Sequence, residues 1–179
     1  MPTITKMGKG FTLIELMVAV SIFIIVMTIS MGSIINVFDA NRKSRSLKTV
    51  LNNLNLVVES MSKEMRFGKN YHCGSGTVTI PQNCPSGDTL MSFLSSDNVQ
   101  ITYRLNSQTV EKQVGGGAYI AVTAPEIVMD DLVFYTLGAG IGDFLQPKVL
   151  IKIKSHAGTG KSQTDFTLQT LISQRVLNI

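Results

Sequence analysis

An α+β chain is what this sequence predicts, with one long N-terminal helix followed by antiparallel β-structure. Three observations predict it. No proline occurs between Pro2 and Pro81, so nothing in that stretch must break a helix. Apolar residues recur at helical spacing as far as about residue 67. From residue 71 onward the pattern changes to short segments that alternate apolar and polar, the period of strands with one buried face. An antiparallel sheet laid against the helix is the natural way to bury both apolar faces.

The helix begins in the most apolar part of the chain. Residues 11–35 are about 25 residues with a single charge, Glu15, and at 1.5 Å per residue they are long enough to cross a hydrocarbon core of roughly 30 Å. They hold about fourteen Leu, Ile, Phe and Val residues, each worth roughly −0.3 to −0.6 kcal/mol for insertion, against roughly +2.5 to +3.5 for one central acid. Insertion wins even with Glu15 charged. A carboxylate in a membrane span still needs a functional explanation. Near the helix start it meets the positive end of the helix dipole, and its best partner is a new positive charge nearby. A cut between Gly10 and Phe11 creates one, because the freed α-amine of Phe11 lies about one helical turn from Glu15. An ordinary secretory signal fits poorly: its apolar core is shorter and is followed by a small-residue cleavage site, whereas this run is long, carries an acid near its start and shows no Ala-x-Ala.

The segment Gly10-Phe11-Thr12-Leu13-Ile14-Glu15-Leu16, behind a short leader with Lys6 and Lys9, resembles the class III signal of type IV pilins and type II secretion pseudopilins. The cleavage-site glycine, the phenylalanine after it, the glutamate and the apolar span all stand at that family's spacing. The resemblance is detailed over about the first 30 residues and general beyond them. It implies a type IV pilin-like fold, cleavage after Gly10 by a prepilin peptidase that is also the N-methyltransferase of Phe11, and an anchor in the inner membrane before assembly into a filament. It further implies that Glu15 pairs with a terminal amine, its own or a neighbour's, in the filament core. A buried ion pair is weak evidence of stability but sets register, because a misregistered subunit leaves a charge unpaired. On this reading the chain divides into a leader at 1–10, a transmembrane half of the helix at 11–35, an extracytoplasmic amphipathic half at 36–68 and a β-rich head at 69–179.

In the second half of the helix, Leu47, Leu51, Leu54, Val58, Met61 and Met65 recur at spacings of four and three and mark the face expected to pack under the sheet. Gly68 is the expected C-terminal stop. Gly32 stands where many major pilins have a proline. A glycine there costs about 1 kcal/mol relative to alanine in a helix, so bending or local melting at Gly32 and a plain glycine contact between membrane helices are both open.

Beyond the helix, Ile101, Tyr103 and Leu105 alternate with Thr102 and Arg104, Asn106-Ser107 gives a turn, and residues 109–114 return as a hairpin. Val149, Ile151 and Ile153 alternate with Lys152 and Lys154. Phe166, Leu168 and Thr170 alternate with Asp165, Thr167 and Gln169, so residues 163–175 read as a late, edge strand. Residues 77–80, 90–94 and 127–135 are further strand candidates, and Gly115-Gly116-Gly117 and residues 138–142 are loops. Cys73 and Cys84 are the only cysteines. A disulfide between them closes a loop of about ten residues and contributes roughly 2 to 3 kcal/mol in the chain-entropy model. Free thiols remain an alternative, and so does a metal site with His72, although zinc takes three or four protein ligands and His156 falls far along the chain in an expected loop.

The cations Arg42, Lys43, Arg45 and Lys48 follow the span with only Asp39 to offset them. Counting positive charges alone places the C-terminus inside; the oxidising compartment that a disulfide needs places it outside. These cations read as a solvated helix face, with a neighbour's acidic groups or lipid phosphates as the other reading. The net charge of +4 with 16% charged residues, without interleaved aromatic and basic residues, gives no support for DNA binding. Apparent catalytic motifs fail. Gly158-Thr159-Gly160-Lys161-Ser162 lacks the first glycine of a phosphate loop, which falls at Ser155, and reads as a hairpin turn. Gly138-Ala139-Gly140-Ile141-Gly142 lacks dinucleotide spacing. Asp130 and Asp131 are adjacent in a strand and point to opposite faces.

The sequence therefore reads as a non-enzymatic structural subunit with no cofactor and no metal. Its size and strand-rich head look more like a minor pilin or minor pseudopilin than a small major subunit. The expected partners are the prepilin peptidase, other pilin or pseudopilin subunits, the inner-membrane assembly platform and membrane lipid. Retention of Glu15 argues against the tip subunit that characteristically lacks this acid. The expected location is the inner membrane as a single-pass protein with an extracytoplasmic head, then a cell-surface or periplasmic filament. The competing class is a membrane-anchored extracytoplasmic binding module whose head recognises a surface, DNA or secreted cargo.

Overall fold

Helix α1 runs without interruption over Leu13–Phe67, 55 residues, in a computed structural model that describes residues 10–76, 78–142, 145–158, 160 and 163–175. Leader residues 1–9 with Lys6 and Lys9, and also Thr77, Thr159, Lys161 and Ser162, lie outside the described residues. The chain divides into two units, residues 1–42 and residues 43–179.

In the first unit the described chain is helix from Leu13 onward, and all of it is exposed. Its polar side chains satisfy themselves locally: the hydroxyls of Ser21, Thr28 and Ser30 donate to the carbonyls of Met17, Ile24 and Val26, each at 2.8 Å. Folding back on the preceding turn is how a hydroxyl is carried in an apolar helix. The helix continues through Gly32, so there is no melting at that residue. A Cβ there would meet nothing within 4 Å.

In the second unit α1 buries Val50, Leu54, Val57, Met61 and Met65. The expected stripe is thus rotated by about one residue. Leu54, Met61 and Met65 are shared, while Leu51 is 38% exposed and Leu47 and Val58 are half-buried. The helix ends at Phe67, where the Gly68 amide donates to the Met65 carbonyl at 3.0 Å. Gly68 does not adopt the left-handed conformation expected of a C-terminal stop. It is needed for close approach, because a Cβ would lie 2.5 Å from Phe93 Cδ2.

Two antiparallel sheets form where one was expected. The first contains β1 (Lys69–Cys73), β3 (Leu90–Leu94), β4 (Gln100–Asn106), β5 (Thr109–Val114) and β6 (Ile120–Ala121), in the order β1-β3-β4-β5-β6. The second contains β2 (Cys84–Asp88), β7 (Ile127–Leu137), β8 (Lys148–Ala157) and β9 (Thr164–Ser173), in the order β2-β7-β8-β9. One core joins the α1 residues to Phe93, Ile101 and Tyr103 of the first sheet and to Leu132, Phe134, Ile151 and Ile153 of the second. β9 is the edge strand anticipated for residues 163–175.

Several local expectations change. Residues 78–80, the described part of the strand expected at 77–80, are turn and bend instead. The chain there crosses back over β1, and the Ile80 carbonyl meets His72 Nδ1 at 2.7 Å. Thr102 is buried along with Ile101 and Tyr103, because its hydroxyl is paired with Ser92 Oγ at 2.9 Å across β3 and β4. The β4–β5 turn is centred on Ser107 and Gln108, with φ of 46° and 65°, one residue later than expected. Two central residues in the left-handed region match the twist of a tight hairpin, and the Gln108 carbonyl is held by the Met129 amide at 3.0 Å. In β7 a register shift falls between Met129 and Asp131. Met129 and Leu132 are both fully buried, so the bulge places Asp130 and Asp131 outward together instead of on opposite faces. His156 is in β8, not in a loop.

Candidate functional site

The motif residues stand at the start of α1. Gly10 and Phe11 precede the helix and are exposed, Phe11 at 83%. Thr12 caps the helix reciprocally with Glu15. The Thr12 amide and hydroxyl each donate to Glu15 Oε2 at 3.4 Å, and the Glu15 amide donates to Thr12 Oγ1 at 3.4 Å. This is a capping box, in which a short hydroxylated residue and an acid three positions later satisfy each other's free amides. It holds the carboxylate against the positive end of the helix dipole and turns it back toward residues 11 and 12. Glu15 Oε1 is left with no bond inside this group. The geometry can therefore hold a cation placed beside Thr12, and the Phe11 nitrogen is one residue away.

Downstream of this group, an 18-residue window of α1 has mean hydropathy 2.5 and none of it is buried. Every large apolar side chain from Leu13 to Phe38, Glu15 being the one acid before Asp39, faces outward. Such a helix is long and apolar enough to cross a membrane.

Cys73 and Cys84 are joined in a disulfide with Cα atoms 5.8 Å apart, which sets aside free thiols and a cysteine-ligated metal. The bond ties the end of β1 to the start of β2, so it staples the edge of one sheet to the edge of the other. Among the described residues no group of three or more His, Cys, Asp or Glu is placed to hold a metal ion. His72 lies under the disulfide-closed loop at 5% exposure, and His156 Nδ1 sits 2.8 Å from Asp130 Oδ1 on the outer face of the second sheet.

One link was not legible in the sequence. Glu64 of α1 accepts a hydrogen bond from the Tyr103 hydroxyl at 2.8 Å and an ion-pair bond from Lys112 Nζ. It fastens the helix to β4 and β5. Burial first, and then the Glu64 carboxylate, push the Tyr103 phenol well above its ordinary range, so Tyr103 is a neutral donor. Glu64 lies on a half-polar helix side where sequence alone offers no reason to single it out; its position three residues after Met61 on the buried stripe is the only signal.

The comparisons bear on the N-terminal part. The prokaryotic N-terminal methylation motif, the signal of type IV pilins and pseudopilins, matches residues 5–31. No curated protein and no solved structure matches the chain. The match spans Gly10, Phe11 and Glu15 and most of the exposed apolar helix. With the long helix packed on antiparallel sheets, the chain has a pilin-like layout, and its N-terminal part carries the signal of that family followed by a helix long and apolar enough to cross a membrane.

Proposed function

We propose that the chain is a structural subunit, a minor pilin or minor pseudopilin, of a type IV pilus or type II secretion-type filament. Prepilin peptidase cuts between Gly10 and Phe11 and methylates the new Phe11 amine, removing the leader at 1–10. Residues 11–35 then anchor the subunit in the inner membrane, residues 36–68 continue the helix outside it, and residues 69–179 form the head. At the assembly platform the helices of neighbouring subunits pack together, and Glu15 meets a terminal ammonium in the growing filament.

The observation that carries this reading is the Glu15 carboxylate folded back on Thr12 inside the matched motif. It already occupies the place where a charge on the Phe11 nitrogen would be held. The pairing acts as a docking check, since an unpaired acid among apolar helices is costly.

Mass spectrometry of the mature chain tests the cut, with methylated Phe11 expected as the first residue; any other first residue refutes it. Glu15→Ala tests assembly. Normal leader removal with loss of filament incorporation is the expected result. Unchanged incorporation would instead favour a membrane-anchored binding module whose head recognises a surface or cargo.

A further inference from the structure

We infer that Lys43, Arg45 and Lys48 form a binding site for the phosphates of anionic lipid headgroups. The inference rests on the reading of the apolar helix as a membrane anchor. All three side chains are exposed, and among the described residues none has an ion-pair or hydrogen-bond partner. Between Glu15 and Glu59 the only acid is Asp39, so the positive charge is not neutralised along the helix. Arg42 precedes them in the sequence and adds to it.

Their angular placement separates lipid from protein as the partner. At about 100° per residue, Arg45 is turned about 200° from Lys43, and Lys48 about 140°. Arg45 and Lys48 therefore stand about 60° apart on one side, and Lys43 on the other. Before assembly a single partner would engage one of these sides and leave the other bare, whereas the headgroups around an anchoring helix reach both.

Their distance along the chain fits as well. Lys43 follows Phe38, the last large apolar side chain of the exposed stretch, by about 8 Å at helical rise, while Arg45 and Lys48 follow it by about 11 and 15 Å and have to reach back further. The headgroup layer on each side of the hydrocarbon is roughly 5 to 8 Å deep. Lys and Arg reach back along their aliphatic stems to place the charge at that level. Cations on this side of the span also work against an outside head, so their presence there calls for a local function.

The test reconstitutes the full chain in phosphatidylcholine bilayers that contain spin-labelled phosphatidylglycerol or spin-labelled phosphatidylcholine, and reads the motionally restricted lipid by electron paramagnetic resonance. The expected result is a roughly fivefold preference for the anionic lipid. The preference falls toward parity in K43Q/R45Q/K48Q and persists in Lys63→Gln, an exposed cation further along the same helix. Inorganic phosphate is expected to weaken it no more than chloride at equal ionic strength; a specific effect of phosphate would overturn the assignment to headgroups. Resistance to carbonate extraction is measured on the same samples. A chain that fails to insert overturns the anchor reading. A chain that inserts but shows no preference, or keeps it in the triple variant, overturns the lipid site and leaves the anchor standing.

Discussion

Glu64 is the strongest single test of how the helix is fastened to the head. Its carboxylate serves two donors, the Tyr103 hydroxyl and the Lys112 ammonium. The two donors stand in different surroundings. Tyr103 is 1% exposed, so in Glu64→Ala its hydroxyl loses its acceptor where water does not reach, a cost of about 1 to 3 kcal/mol. Ser60 is close enough to the phenol to bias its ionisation and can take part of the lost bond, which favours the lower half of that range. Lys112 keeps 22% side-chain exposure and returns to water, so its share is about 0.5 kcal/mol, as for other partly solvated pairs. The sum is about 2 kcal/mol, or roughly 6 to 9 °C in Tm for a folded unit of this size. Chemical denaturation of the full chain in detergent measures it. Tyr103→Phe removes the donor itself, so the same Glu64→Ala change in that background is expected to cost only the lysine share, a coupling of about 1.5 kcal/mol. Coupling indistinguishable from zero would mean that the hydroxyl finds another partner and that the helix is held by its apolar face alone.

Two further outcomes follow from the head. Replacing both Cys73 and Cys84 by serine opens a loop with a sequence separation of 11 and is expected to lower stability by about 3 kcal/mol; a loss under about 1 kcal/mol in non-reducing denaturation would show that the staple between the sheets is dispensable. Burial raises the phenols of Tyr71 and Tyr103 well above their ordinary value of 10.0. The folded state therefore retains protons that the unfolded chain releases, and stability is fully present below about pH 10 and lost above it, by up to roughly 1.4 kcal/mol per pH unit for each tyrosine. Denaturation midpoints that stay flat from pH 9.5 to 11.5, as approximate bounds of that window, would contradict the buried placement of both rings.

Much of the fold is legible because its signals are local. The proline-free apolar run specified a helix to Phe67, and the alternation at residues 101–105, 149–153 and 166–170 specified β4, β8 and β9. What went unread depends on neighbours far along the chain. β2 has the sequence Cys-Pro-Ser-Gly-Asp, which carries no strand pattern. It is held in the second sheet by β7, and Gly87, with φ of +78°, sits where a Cβ would meet Val133 at 2.4 Å. The paired acids Asp130 and Asp131 looked incompatible on a simple strand, and a bulge reconciles them.

The amino-acid sequence by itself determined the N-terminal helix, its apolar span and the Gly10, Phe11 and Glu15 motif, because contiguous residues and a short capping reach are enough to define them. Only the tertiary structure decided which side of the helix is buried. Leu47, Val50, Leu51, Leu54, Val57 and Val58 make an apolar band wider than one contact face, and the final choice of Val50 and Val57 over Leu47 and Leu51 came from where Phe93, Tyr103 and the second sheet meet it. The same holds for the Glu64 link, which joins residues whose proximity is a product of packing. The pairing of Cys73 with Cys84 was legible in the sequence, but that it ties two sheet edges together was not.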